Sequence, residues 1–174
     1  RLHFISRNRS KLFIQELLDA TEDPNPDVRQ AAVMSLGQID DPKSVERLLQ
    51  ICKENVLGLE HLAIEGLGRL KCREASIVLM DFLDSPDVLS RKTSAWALGQ
   101  INDRSSLAIL KMRLAKESNP SVAAEMADAL SQFADLSSIP HIFPHFKKTH
   151  QTSLRRQFGV ALANILGVVG EFYP

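Results

Sequence analysis

The chain has 174 residues, 44% hydrophobic and 24% charged, which places it among ordinary globular chains rather than disordered ones. Lys plus Arg (21) balances Asp plus Glu (21), so the formal net charge is zero. That argues against a dedicated nucleic-acid binder, whose phosphate contacts need a basic excess. Two cysteines, Cys52 and Cys72, make no disulfide framework and fit a reducing, cytoplasmic setting. No run of 18 apolar residues is present to span a membrane, and no signal-peptide pattern opens the chain. Because it begins with Arg1 rather than Met, the chain reads as a single domain, 1–174, cut from a longer protein.

The first eleven residues carry Arg1, Arg7, Arg9 and Lys11 with His3 and the apolar Leu2, Phe4 and Ile5. Two readings stand: a solvated leader from a preceding unit, or the cytoplasmic flank of a membrane segment. Asn8-Arg9-Ser10 matches a glycosylation acceptor, a pattern short enough to arise by chance. Ser10 to Ala20 predicts a helix. Asn25-Pro26-Asp27 is a turn-and-cap signal, and VRQAAVMSLGQI (Val28–Ile39) predicts the next helix. Asp41-Pro42 caps a helix carrying Val45, Leu48, Leu49 and Cys52. LEHLAIEGLGRL (Leu59–Leu70) follows without the usual Pro-Asp turn, and Ile77, Leu79, Met80 and Leu83 mark the helix after it. Ser85-Pro86-Asp87 introduces SRKTSAWALGQI (Ser90–Ile101). Two extra residues separate this turn from its Leu-Gly pair, so the helix is expected to start a turn early. Asp103 then caps a helix with Leu107, Leu110 and Leu114. Asn119-Pro120-Ser121 introduces VAAEMADALSQF (Val122–Phe133), and Asp135 precedes a helix with Ile139, Ile142, Phe143 and Phe146. LRRQFGVALANI (Leu154–Ile165) is the last of the series. No sustained alternation of period two competes with these helices.

Leu36-Gly37, Leu67-Gly68 and Leu98-Gly99 are spaced by 31 residues, and Leu130-Ser131 and Leu162-Ala163 by 32. Leu17, Leu48, Leu79 and Leu110 repeat the step of 31 in the intervening helices, and Ile142 follows by 32. A fixed period in this range means stacked copies of one helical hairpin. Within each copy the apolar residues fall at offsets 0, 4, 8 and 11, one stripe of a helix. Small residues such as Ala32, Ala63, Ala95 and Ala129 lie beside the stripe and let neighbouring helices come close.

The Leu-rich helix, the Pro-Asp-Val-Arg turn (Pro26 to Arg29) and the Ala-Ala-x-x-x-Leu-Gly-x-Ile core (Ala31 to Ile39) resemble HEAT-like repeats, most of all the short repeats of phycocyanobilin-lyase-type proteins. The resemblance covers roughly residues 10 to 168. It implies an all-α fold: a right-handed α-α superhelix, a HEAT-like solenoid, of about five helical hairpins. It also implies an adaptor, assembly factor or regulatory module whose second helices line a concave face. Offsets 2, 6 and 10 of those helices point away from the core by helix geometry. They form three columns: Gln30, His61, Lys92, Ala124 and Arg156; Met34, Glu65, Trp96, Asp128 and Val160; Gln38, Arg69, Gln100, Gln132 and Asn164. The expected partner-binding set is Gln30, Met34, His61, Glu65, Arg69, Lys92, Trp96, Gln100, Asp128 and Gln132. Trp96, the single Trp, stands at its middle. It either anchors a partner, as Trp does at binding hot spots, or packs flat over Lys92 and Gln100.

Arg29, Arg91 and Arg155 at offset 1 are expected to pair with turn carboxylates such as Asp27 or Asp87 rather than to bind anions. His141 and His145 have the spacing of two metal ligands on one helix face, with His150 following, but no carboxylate or cysteine is close in sequence to complete a site, and exposed histidines on a convex helix are expected. Glu60, His61 and Glu65 form a polar set within one helix. Cys72 lies between Lys71 and Arg73, where cations favour a reactive thiolate, although a plain loop thiol is the simpler expectation. No nucleophile elbow, P-loop, dinucleotide fingerprint or zinc-protease motif is present. The leading expectation is a non-catalytic protein–protein interaction scaffold with no cofactor, no metal and no nucleic-acid partner, able to self-associate through its ends. The alternatives are a cytosolic regulatory domain of a membrane transporter, suggested by a resemblance of Leu154 to Tyr173 to domains appended to major-facilitator-type proteins, and a bilin-lyase-type auxiliary or enzyme. A HEAT-like DNA glycosylase is disfavoured by the mixed charge of the columns.

Overall fold

The computed structural model describes residues 13–54, 56 and 58–167. The basic leader and the closing stretch from Val168 onward lie outside the described residues, and so do the readings placed on them. Among the described residues there are ten α-helices: α1 across 13–20, α2 Pro26–Leu36, α3 Pro42–Glu54, α4 Glu60–Arg69, α5 Ser76–Phe82, α6 Val88–Ile101, α7 Leu107–Lys116, α8 Pro120–Ser131, α9 Ile139–Lys148 and α10 Thr152–Leu166. No strand occurs among the described residues.

The helices form two layers. α2, α4, α6, α8 and α10, which carry the Leu-Gly pairs, pack each on the next. α3, α5, α7 and α9 form the other layer, each folded back on the Leu-Gly helix that follows it. The 31-residue step maps onto the core. Leu36, Leu67, Leu98 and Leu130 are fully buried, as are Leu48, Leu79, Leu110 and Ile142. Each such residue contributes about 1.5–3 kcal/mol by leaving water. In the outermost of the described units the equivalent Leu17 and Leu162 are only half-buried, since no described unit flanks them on the outer side. Val28, expected in the core at offset 0, is exposed, since no described helix packs over it.

Capping places the helix starts. Asn25 accepts from the amide of Asp27, Asp87 from Ser90, and Asn119 from Ser121 and Val122. These N-caps stand three residues before offset 0 in every case. The α6 helix therefore does not start early, as its turn had suggested. Its Asp87 takes the place held by Asn25 and Asn119, and only the proline has moved. The α4 helix, with no capping side chain at Leu59, begins three residues later than its counterparts. Asp103 and Asp135 cap short 3-10 turns, Arg104–Ser106 and Leu136–Ser138, which lead into α7 and α9. Lys111 Nζ lies 2.5 Å from Asp135 Oδ2, and with Ser137 it holds that carboxyl down at about 2. After three of the Leu-Gly helices the chain turns through a left-handed residue at offset 12: Lys71, Asn102 and Ala134, with φ of 50°, 53° and 49°.

Three of the four joints between Leu-Gly helices share one contact; at the fourth, α8–α10, the position is Ser131. Offset 9 of one helix meets offset 7 of the next. A Cβ built on Gly37 would stand 2.6 Å from Gly66 Cα, one on Gly68 2.7 Å from Ala97 Cβ, and one on Gly99 2.9 Å from Ala129 Cα. No side chain fits there, so the backbones touch. This is why Leu-Gly recurs with the repeat.

Candidate binding face

Away from the core, α2, α4, α6, α8 and α10 present one continuous wall. Of the ten residues expected there, Gln30, Met34, Arg69 and Gln132 are exposed, and His61, Glu65, Lys92, Trp96, Gln100 and Asp128 are half-buried. All ten therefore reach the surface. Among the other column members Ala124 is buried, contrary to expectation, because its methyl group is too short to emerge between neighbouring side chains.

The charges on this wall are linked to one another. Arg69 Nη2 lies 2.5 Å from Glu65 Oε1, one turn away on α4. Lys92 Nζ lies 3.9 Å from Glu125 Oε2 across the α6–α8 joint. Gln157 Nε2 donates to Asp128 Oδ2 across the α8–α10 joint. Glu125 and Gln157 stand at offset 3, a position the columns omit. With about 100° between successive residues, offset 3 leans toward the preceding unit. The sequence signal for it was an acid–base or amide–acid pair spaced close to the repeat length, as in Lys92–Glu125 and Asp128–Gln157.

Two carboxyls here are held above their usual range. Burial pushes Glu125 up, opposed by Lys92 and reinforced by the Asp128 charge. Burial likewise pushes Asp128 up, opposed by the Gln157 amide. Desolvated acids have the chemistry to receive a cation. Trp96 does not lie only over its own helix. The tip of its ring, Cζ3, would stand 2.8 Å from a Cβ on Gly68, so the indole spans the α4–α6 joint. A crevice on the wall, between Met34, Leu62, Glu65 and Arg69, holds about 20 Å³.

The remaining candidates serve the scaffold. Arg29 Nη1 donates to the carbonyls of Asp23 (2.8 Å) and Pro24 (3.0 Å), not to Asp27. Arg91 Nη1 donates to Ser85 O and Pro86 O, and its Nε lies 2.9 Å from Glu117 Oε2 in the next unit's turn; Asp87 is instead occupied as the cap of α6. Burial works against ionised Glu117, but Arg91 and the Asn119 amide hold its carboxyl below the usual range. Arg155 sits over the Phe146 ring at 5.2 Å. His145 is not an exposed convex histidine. It turns inward, with Nε2 3.0 Å from Leu114 O and its ring 5.8 Å from that of Phe158. Among the described residues no three His, Cys, Asp or Glu side chains gather as a metal site would need. Cys52 is buried, its thiol pushed up to about 12 by burial, while Cys72 is half-buried in a turn. No helix among the described residues is long and apolar enough to cross a membrane.

Comparison with known proteins agrees with this architecture. The family model for HEAT repeats matches residues 6–59, 58–131 and 84–163. No curated protein matches the chain. Among solved structures, the chain resembles the complex of CpcE and CpcF of phycocyanin lyase from Nostoc sp. PCC7120, with TM-score 0.75 and 19% identity over 88% of this chain. It covers 65% of the length of that chain. Human deoxyhypusine hydroxylase in complex with glycerol is a more distant match, with TM-score 0.47 and 15% identity over 88% of this chain and 84% of that one. With three repeat matches that together run from residue 6 to 163, on a two-layered stack of helical hairpins, the chain belongs to the HEAT-repeat proteins.

Proposed function

We propose that the chain is a non-catalytic protein–protein interaction scaffold, and that the wall built by α2, α4, α6, α8 and α10 is its binding face. The observation that carries this reading is Trp96. It is half-buried across a joint of the stack, with the half-buried acids Glu125 and Asp128 on the next helix. Aromatic anchors ringed by polar groups are what dominate protein interfaces. The shape points the same way. Small-molecule sites enclose roughly 300–1,000 Å³, whereas this wall has a crevice of about 20 Å³ and suits a broad partner surface. The similar phycocyanin lyase structure is itself a complex of two proteins.

A random-peptide display selection on the wild-type protein tests the reading. Enriched peptides are expected to lose roughly tenfold or more in affinity on Trp96→Ala, the scale of a hot-spot residue. Peptides that bind the Trp96→Ala protein as tightly as wild type would place the binding surface elsewhere.

A further inference from the structure

The opposite side of the molecule has a feature that the binding face does not use. At the boundary between α3 and the turn leading to α5 the outer layer is thin. α5 has seven residues against 13 in α3, and α4 starts late. The result is a groove of about 670 Å³. Its floor is apolar: Val45 and Leu49, one turn apart on α3, face Leu70 and Cys72 from the far wall, all four half-buried. A second opening of about 460 Å³ continues along α3, with Val78 and Phe82 on its floor and Lys53 common to both. The two together border α3 over its 13 residues, about 20 Å at 1.5 Å per residue.

The rim is mostly acidic. Asp40, Glu46 and Glu74 surround the larger opening, and Asp81 lies on the smaller one. None of these four carboxylates forms an ion pair with another described residue. Other carboxylates along the outer layer are paired, Glu22 with Arg47, Asp84 with Arg113 and Asp135 with Lys111. The cations at the groove, Lys53 and Arg73, are fewer than the acids. An apolar strip with an acidic margin complements a segment that carries apolar side chains on one face and Lys or Arg beside them.

We propose that this outer groove docks a basic amphipathic segment of a partner protein, its apolar side chains on Val45, Leu49 and Leu70 and its cations against Glu46 and Glu74. The proposal is independent of the binding face on the opposite layer.

Cys72 provides a local readout. Its thiol lies in the groove wall, while Cys52 is buried and held protonated, so alkylation by iodoacetamide at neutral pH reports on Cys72. The probe is a synthetic Leu/Lys amphipathic helix of about 14 residues, long enough to follow α3. Its counterpart replaces every Lys by Glu. The Leu/Lys peptide is expected to slow Cys72 alkylation several-fold, with the protection lost on adding salt and in the Glu46→Lys/Glu74→Lys double variant. Both positions are exposed, so the variant should fold, which circular dichroism checks. Equal protection by the Leu/Glu peptide, protection that survives in the double variant, or no protection at any peptide concentration would overturn the proposal.

Discussion

Replacing Gly68 by Ala adds one methyl group at the α4–α6 joint. That methyl would stand 2.7 Å from Ala97 Cβ and 2.8 Å from both Ala97 Cα and Trp96 Cζ3, well inside van der Waals contact. Two of these three atoms belong to the backbone or its first carbon, so a side-chain rotation cannot relieve the clash and the helices must separate. Overpacking of this kind costs about 3 kcal/mol at its upper end, while Ala in place of Gly in a helix returns about 1 kcal/mol, leaving a net loss of about 2 kcal/mol. The same substitution at Gly159 provides the control. There the new methyl would meet only Phe146 Cε2 at 3.6 Å, an ordinary contact, inside the helix α10. Gly159→Ala is therefore expected to stabilise by up to about 1 kcal/mol. Urea denaturation followed by helical circular dichroism measures both, with the slope m confirming that the compared states are equivalent. If Gly68→Ala is as stable as wild type, or if both variants shift the same way, the backbone-to-backbone joint is wrong.

Three further outcomes follow from local chemistry. Ala134→Gly removes a side chain from a left-handed position at φ 49° and is expected to raise stability by about 1 kcal/mol, read as a higher urea midpoint. Asp135 is depressed from 3.8 to about 2 by Lys111 and Ser137, so its contribution is present above the unfolded value and lost as pH falls through the folded one. Asp135→Asn should flatten acid unfolding between about pH 4 and pH 2; an unchanged acid profile would contradict the Lys111 pairing. Glu125 and Asp128 have the opposite sign. Their folded-state pKa values are raised, so stability is full below the unfolded values, about 4, and declines as pH rises through the folded ones. Glu125→Gln and Asp128→Asn should each raise the melting temperature at pH 7.5 and gain little at pH 4. A lower melting temperature at pH 7.5 would show that the ionised groups are net stabilising where they stand.

The hairpin stack was legible because its signal is long-range and redundant. Leu36, Leu67 and Leu98 mark the same buried position in successive units, and a helix with offsets 0, 4, 8 and 11 apolar has only one way to bury that stripe. What escaped depends on neighbours. Val28 follows the core pattern but lies in the outermost described unit, where no described helix covers it. Ala124 follows the surface pattern but is too short to emerge. His145 carries no sequence mark that distinguishes an inward ring over Phe158 from a solvated one, since only the packing of α9 on α10 decides it. Arg91 was legible as a structural residue, but its partner was not. Glu117 is 26 residues away, and the nearer candidate Asp87 was already committed to the α6 cap. The candidate face was legible as three columns. Its acidic centre was half missed, because Glu125 sits at offset 3, beside the position that helix geometry alone singles out.

Trp96 is the single Trp of the chain, so its emission reports on the centre of the proposed face without labelling. The most direct measurement is a titration with a selected peptide partner, following Trp96 emission and its quenching by acrylamide while anisotropy of the labelled peptide records binding. The account predicts that emission shifts to the blue and that quenching falls in step with saturation. Saturable binding that leaves both the emission and the quenching of Trp96 unchanged would contradict it.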